Sequence, residues 1–335
     1  MFEFLDSINN YLWTWVVIPM LIGCALWFTV RLGGLQFRYM PLMIKQLLES
    51  NNSADKNDGE KHISSFHAFV ISLSSRIGTG NLAGVASAIF VGGPGAIFWM
   101  WVMALLGSAT AFVEATLAQL YKRKGKESFY GGPAYYMLYG IHSRWLGLIF
   151  SICLAITFGI ANQILQSNQI SMSVADTTGI SPLLFATILS ALTGIIIAGG
   201  IHRIANFAAI VVPFMAIAYL FLAVYVMAVN ITEIPNVLVL IVSDAFGFEQ
   251  AAGGAIGITI TQGVKRGLFS NEAGEGSAPN AAATAETSHP VRQGLVQALG
   301  VFTDTIVVCT CTAMIILTTG VYEKGDANGI ILTAR

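Results

Sequence analysis

Charge is what this 335-residue chain lacks. Asp, Glu, Lys and Arg make up 10% of it, where soluble domains carry about a quarter, and no hydrated globular surface can be built from so few. A net charge of −1, with no Lys/Arg cluster on an exposed face, excludes nucleic acid as a partner. Cysteine is scarce as well: Cys24, Cys153, Cys309 and Cys311 all fall inside apolar stretches. The two-residue spacing of the last pair turns them to different faces of a helix, which excludes a metal clip, and all four read as small core residues. The five histidines form no HExxH pattern, and no Ser/His/Asp arrangement is visible. Neither an enzyme nor a resident cofactor is indicated.

What the chain has instead is apolar length. Hydrophobic residues reach 55%, glycine numbers 34 and the mean hydropathy is +0.70. Runs such as 11–32 and 204–229 meet the roughly 20 residues that a helix needs to cross a bilayer. Eight membrane-depth segments are expected, at residues 11–31, 64–91, 94–121, 145–173, 182–198, 204–229, 251–287 and 291–319. Residues 236–248 are too few to span and read as a surface or re-entrant helix. The first run is too long for a signal-peptide core and lacks a small-residue cleavage site, so it is kept as a span. The fold class is an all-α polytopic membrane protein.

Positive charge assigns the orientation. With the N-terminus outside, twelve Lys and Arg residues, Arg31, Lys122, Arg144 and Arg292 among them, fall on the inner side and only Lys324 and Arg335 on the outer. The hydrophilic stretch 49–61 is then an internal, mobile loop. Arg76, Lys265 and Arg266 are left at membrane depth.

Two segments are long and broken by glycine. One reads Ser74-Ser75-Arg76-Ile77-Gly78-Thr79-Gly80-Asn81-Leu82-Ala83-Gly84, the other Phe269-Ser270-Asn271-Glu272-Ala273-Gly274-Glu275-Gly276-Ser277-Ala278-Pro279-Asn280. The charge rule sends them through the membrane in opposite directions. A pair of Gly/Pro-interrupted spans at matching places in two inverted halves points to the binding site of a secondary transporter. A broken helix frees main-chain N–H and C=O groups that lipid cannot satisfy. The half-helix resuming near Leu82 presents N–H groups suited to a carboxylate, and carbonyls around 77–79 suit Na⁺ or an ammonium group. Pro279 fits the first turn of the second resumed half-helix, where it loses no helical bond. Close packing is an equal reading of the first break, because Gly80, Gly84, Ala88 and Gly92 recur every four residues. Gly78-x-Gly80-x-x-x-Gly84 has the wrong spacing for a nucleotide fingerprint.

Ionisable groups at membrane depth are functional candidates. Glu114, Glu272, Glu275 and Asp304 stand against Arg76, Lys265 and Arg266, and four acids against three bases suggest mutual pairing, with a cation taking the remaining charge. Asn162, Gln166, Gln169 and Ser173, with Gln163 beside them, line one helical face, which should face the interior, as glue between helices or as part of a watery vestibule.

At these residues the chain resembles the alanine/glycine:cation symporter family, the bacterial sodium:alanine symporters. The shared stretches are Ile77-Gly78-Thr79-Gly80-Asn81-Leu82-Ala83-Gly84-Val85, Gly92-Gly93-Pro94-Gly95-Ala96-Ile97-Phe98-Trp99-Met100-Trp101, Gly131-Gly132-Pro133-Ala134-Tyr135-Tyr136, Gly267-Leu268-Phe269-Ser270-Asn271-Glu272-Ala273-Gly274 and His289-Pro290-Val291-Arg292-Gln293-Gly294. The resemblance implies a leucine-transporter-like inverted repeat of five plus five helices after an extra N-terminal helix. On that pattern residues 1–33 are the extra helix, 34–62 a cytoplasmic loop, 63–229 the first repeat and 230–335 an incomplete second repeat. Three further spans would complete it, so the chain reads as truncated. Glu275 departs from the apolar residue many relatives carry there.

The resemblance also implies symport of a small neutral amino acid, alanine or glycine, with Na⁺ or H⁺ across the bacterial inner membrane, the lipid bilayer being the other partner. The expected substrate-binding residues are Gly78, Thr79, Gly80, Asn81, Phe269, Asn271, Gly274, Ser277 and Gln166. The coupling Na⁺ is expected at Ile77, Thr79, Asn271 and Asp304. Two other readings stay open: a non-transporting remnant of such a symporter, and a channel, which would need a continuous polar lining.

Overall fold

The computed structural model describes residues 2–53, 63–125, 128–247 and 253–324. Among these described residues five helices are long and apolar enough to cross a membrane: α1 (Glu3–Arg31), α5 (Ala96–Leu120), α7 (Arg144–Thr178), α9 (Gly200–Val229) and α13 (Pro290–Thr318). Between the first two lie α2 (Met40–Ser53), α3 (Ser65–Arg76) and α4 (Gly80–Gly92). A two-stranded hairpin, β1 (Arg123–Lys124) with β2 (Phe129–Tyr130), and the short α6 (Pro133–Tyr139) connect α5 to α7. The remaining helices are α8 (Pro182–Ile197), α10 (Ile234–Ala245), α11 (Gly253–Asn271) and α12 (Ala278–Thr284).

All eight expected segments are helical within the described residues, two of them interrupted. The short helix expected at 236–248 is α10; its 12 residues rise about 18 Å, well under the bilayer core. The hydrophilic stretch read as a loop from Glu49 instead begins as helix, because α2 continues to Ser53. Residues 54–61 of that loop, and the start of the segment expected from Ala251, lie outside the described residues.

Helix α5 is the axis of the packing, and its sequence shows why. Ala104, Ser108, Ala111, Ala115 and Ala118 recur at steps of four and three and are all buried, leaving a smooth stripe against which α13 and α11 approach. Ser108 Oγ donates to the Ala298 carbonyl across that contact at 3.2 Å. Gly263 on α11 lies so close to α5 that a Cβ there would sit 2.4 Å from the Ala96 carbonyl oxygen. The start of α5 is pinned by α10: Gly95 N–H donates to Asp244 Oδ2 at 2.7 Å, and a Cβ on Gly95 would collide with the Ala245 backbone.

Helices α7, α8 and α9 turn large apolar side chains outward, Trp145, Leu183 and Phe221 among them, as helices facing lipid do. The cysteine reading divides here. Cys309 and Cys311 are buried, whereas Cys24 and Cys153 are exposed on α1 and α7; a small apolar residue is as stable against lipid as against protein. The amide stripe on α7 behaves as its spacing requires: Asn162, Gln166, Gln169 and Ser173 are half-buried, while Gln163 is exposed.

Below the second break, α12 ends against α5. Gln119 Nε2 donates to the carbonyls of Ala282 (2.5 Å) and Ala285 (3.0 Å), and Lys122 Nζ reaches the Ala285 carbonyl at 2.7 Å. These donors satisfy helix-end carbonyls that have no partner in their own helix. Replacing Gln119 by Leu should lower stability by about 1–3 kcal/mol, read as a lower thermal midpoint of the detergent-purified chain; an unchanged midpoint would show that the cap carries no weight.

Candidate functional site

The first break falls between α3 and α4. Ile77 leaves the helix with an extended backbone (φ −72°, ψ 99°), and the chain resumes as a widened turn over Gly80–Gly84 before regular helix from Val85. Two side-chain amides cap the exposed main chain. Asn81 Oδ1 accepts from Gly78 N–H at 2.9 Å, and Gln166 Oε1, reaching in from α7, accepts from Thr79 N–H at 3.1 Å. A Cβ on Gly78 would stand 2.8 Å from Gln166 Nε2, so glycine there leaves the space that the amide fills.

The second break lies between α11 and α12. Glu272 takes a left-handed φ of 54°, followed by Gly274 at 92° and Gly276 at 81°. A glutamate in that region is strained, and its carboxylate is anchored: Ser75 Oγ donates to Oε1 at 2.9 Å and Ser277 Oγ donates to Oε2. Gly274 N–H donates to Glu114 Oε2 at 3.1 Å, and Ala273 N–H to Asn271 Oδ1 at 3.0 Å. Pro279 sits in the first turn of α12, as its missing N–H allows.

The two breaks are joined through α13. Its turns widen over Phe302–Cys309, a distortion that in helices marks functional positions, and this stretch carries Asp304, which is fully buried. Asn81 Nδ2 donates to Asp304 Oδ1 at 2.7 Å; Ser270 Oγ and Thr305 Oγ1 donate to Oδ2 at 2.6 and 2.9 Å. Cys309 Sγ lies 3.1 Å from Ser270 Oγ. One amide therefore holds Gly78 with its oxygen and Asp304 with its nitrogen, tying both breaks to α13.

A cavity of about 230 Å³ opens beside the first break, walled by Ile77, Gly78, Asn81 and Leu82, by Met215, Ala216 and Tyr219 of α9, and by Val308 of α13. Its lining is largely apolar. The Tyr219 hydroxyl is fixed against Thr312 Oγ1 at 2.5 Å.

Of the expected site residues, Ile77, Gly78 and Asn81 meet at this cavity, and Gln166 caps the Thr79 N–H at the same break. Thr79 is buried, with Oγ1 lacking a hydrogen-bond partner among the described residues. Gly80 packs on Ser270 Cα and on the Phe269 ring, so the four-residue glycine spacing serves helix contact as well as the break. Asp304 belongs to the bridge. Asn271, Gly274 and Ser277 lie elsewhere: Asn271 turns to Gly107 of α5, Gly274 to Leu21 and Thr110, and Ser277 to Glu272. Mutual pairing of the membrane-depth charges is not what forms around Arg76: no carboxylate of the described residues comes within salt-bridge distance of it, and Glu114, Glu272 and Asp304 are held by neutral N–H and O–H donors. The α9 wall, Ser270 and Cys309 went unnoticed in the sequence because nothing distinguishes an inward Tyr, Ser or Cys from its neighbours in an apolar run.

Long apolar helices packed around two that break at polar residues define a polytopic membrane transporter. The profile of the sodium:alanine symporter family matches residues 1–335. The chain is 51% identical over 325 residues to the probable sodium/glutamine symporter GlnT of Bacillus subtilis, covering 97% of this chain and 67% of that one. It is 48% identical over 318 residues to the amino-acid carrier protein AlsT of the same organism (95% and 67%). With the sodium/alanine symporter AgcS of Methanococcus maripaludis it shares 41% over 338 residues (98% and 74%). The chain belongs to the sodium:alanine symporter family, a family of amino-acid transporters, and spans about two thirds of the length of the first two of these relatives.

If the Asn81 amide couples the breaks, Asn81→Ala and Asp304→Ala should not act independently. A double-mutant cycle on thermal stability should return a coupling of about 0.5–3 kcal/mol. Additive losses would mean that the two side chains are held separately.

Proposed function

We propose that the chain carries a small neutral amino acid, alanine or glycine, together with Na⁺ across the bacterial inner membrane, on a leucine-transporter-like inverted repeat whose first half is residues 63–229 and whose second begins at 230. The observation that carries this reading is the pair of broken helices tied together at buried Asn81 and Asp304 beside a small, largely apolar cavity. A zwitterion needs main-chain dipoles at its charged ends and a dry wall for its side chain. Residues 78–81 supply the first, and Ile77, Leu82, Met215 and Val308 the second.

In this reading the substrate carboxylate lies on N–H groups at the start of α4, with Gln166 adjusting to admit it. Phe269 backs Gly80 at the first break, while Asn271, Gly274 and Ser277 shape the second break that supports it. The coupling Na⁺ takes oxygens at Ile77 and Thr79, with Asp304 as counter-charge, while Asn271, expected in that set, stays turned toward α5. The unpartnered, buried Thr79 Oγ1 favours that placement. One Na⁺ moving through 100 mV releases about 2.3 kcal/mol, and a tenfold gradient adds about 1.4, enough for accumulation of several hundred-fold. The relatives are named for glutamine as well as alanine, and the small cavity favours the shorter side chain.

Proteoliposomes of the chain with an inward Na⁺ gradient should take up labelled alanine, glycine should compete, and choline in place of Na⁺ should abolish uptake. Uptake indifferent to that replacement removes the coupling; competition by glutamine alone removes the size argument. Gly80→Leu, which drives a side chain into Ser270 and Phe269, should reduce uptake at least 100-fold while the chain still inserts, and retained transport would displace the site from the first break.

A further inference from the structure

Arg76 ends α3, one residue before the break, with 2% of its surface exposed. Its position is built. Nη1 donates to the Gln297 carbonyl at 3.3 Å, and Gly300 leaves the room it needs, since a Cβ there would sit 2.3 Å from Nη1. The opposite edge is unused: Nε and Nη2 are both buried with no hydrogen-bond partner among the described residues. Those two N–H groups point the same way and form the fork that matches a carboxylate with two parallel bonds. Buried cations are costly unless a counter-charge meets them. Glu272, Asp304 and Glu114 lie near enough to act on its charge, but none bonds to its free edge: Glu272 is held by Ser75 and Ser277, Asp304 by Asn81, Ser270 and Thr305, and Glu114 by Gly274.

The surroundings are unsatisfied in the same way. Ser72, one turn before Arg76 on the same face of α3, has a buried hydroxyl without a partner among the described residues, and the side-chain amides of Gln293 and Gln297 on α13 have none among them either. Gln293, Gln297, Gly300 and Asp304 follow at spacings of four, three and four, which is one helical face. A polar seam thus runs from the Pro290 end of α13 to the break, and its free donors and acceptors need water or a ligand.

We infer that the Nε–Nη2 edge of Arg76 is a carboxylate-binding station on the Pro290 side of the break, a second stop for the substrate's carboxylate beyond the main-chain groups of residues 78–81. Ile77, which follows Arg76 in the chain, lines the cavity, so the station lies one residue along the chain from the cavity wall. The hydrated seam carries it onward. The station's assignment to the transported amino acid rests on the function proposed above; its chemistry does not.

Infrared difference spectra of the purified chain with ¹³C-carboxylate alanine, and separately with ¹³C-acetate, test the station. Both probes should give a carboxylate stretch shifted by bidentate pairing in the wild type. Arg76→Lys, which keeps the charge but not the fork, should lose the shifted band from both and bind alanine about tenfold more weakly. Gly300→Ala, which pushes the guanidinium aside without removing it, should do the same if Arg76→Lys misfolds. A labelled band unchanged in both variants, or a shift that appears only at unlabelled protein frequencies, overturns the station, the latter because Glu272 would then be the partner. A wild-type chain that gives the shifted acetate band yet binds no alanine overturns the alanine reading and leaves the carboxylate site standing.

Discussion

A helix cannot be broken in a bilayer unless something takes over its hydrogen bonds, and here that task falls to the amide of Asn81. Its oxygen holds Gly78 N–H on one side of the break, and its nitrogen holds the carboxylate of Asp304. Ser270, at the end of α11, grips the other oxygen of the same carboxylate. Three segments of the chain are fixed relative to one another by one side chain that must be both donor and acceptor. An aspartate there would set two carboxylates against each other, and a leucine would leave Gly78 N–H and Asp304 both unsatisfied in a dry interior. The rest of the site, the Gln166 cap, the Phe269 backing and the α9 wall, is arranged around that knot.

The electrostatics follow the same economy. Glu114, Glu272 and Asp304 are held by serine and threonine hydroxyls, an amide and a main-chain N–H group, while Arg76 keeps one edge open. Neutral donors hold a carboxylate in place without pairing it to a fixed cation, which in the proposed function leaves Asp304 available as the counter-charge. A direct ion pair would have quenched both partners and made the site indifferent to its cargo. Strain is concentrated at the second break, where Glu272 keeps a left-handed backbone against its preference, anchored by Ser75 across the gap.

Much of this was legible in the residues. Length and apolarity located the spans, glycine and proline located both breaks, and the four-three-four spacing of amides on α7 placed Gln166 inward. Asp304 stood out because an acid deep in a span is too costly to be idle. Three things were hidden, each for a physical reason. The start of a hydrophilic stretch continued as helix to Ser53, since polar residues do not by themselves stop a helix. Glu114, Glu272 and Asp304, counted against Arg76, are held by neutral donors instead, because pairing depends on distance, which composition does not contain. The roles of Ser270, Cys309 and Tyr219 depend on α11, α13 and α9 meeting the first break, contacts between residues up to 228 positions apart.

The most direct examination of the account is a density map of the chain in lipid nanodiscs with alanine and Na⁺ present. The account predicts a compact ligand density in contact with the main chain of residues 78–81, between two interrupted helices, with the Asn81–Asp304 contact intact. Continuous helices through 76–81 and 271–278, or ligand density lodged away from both, would contradict it.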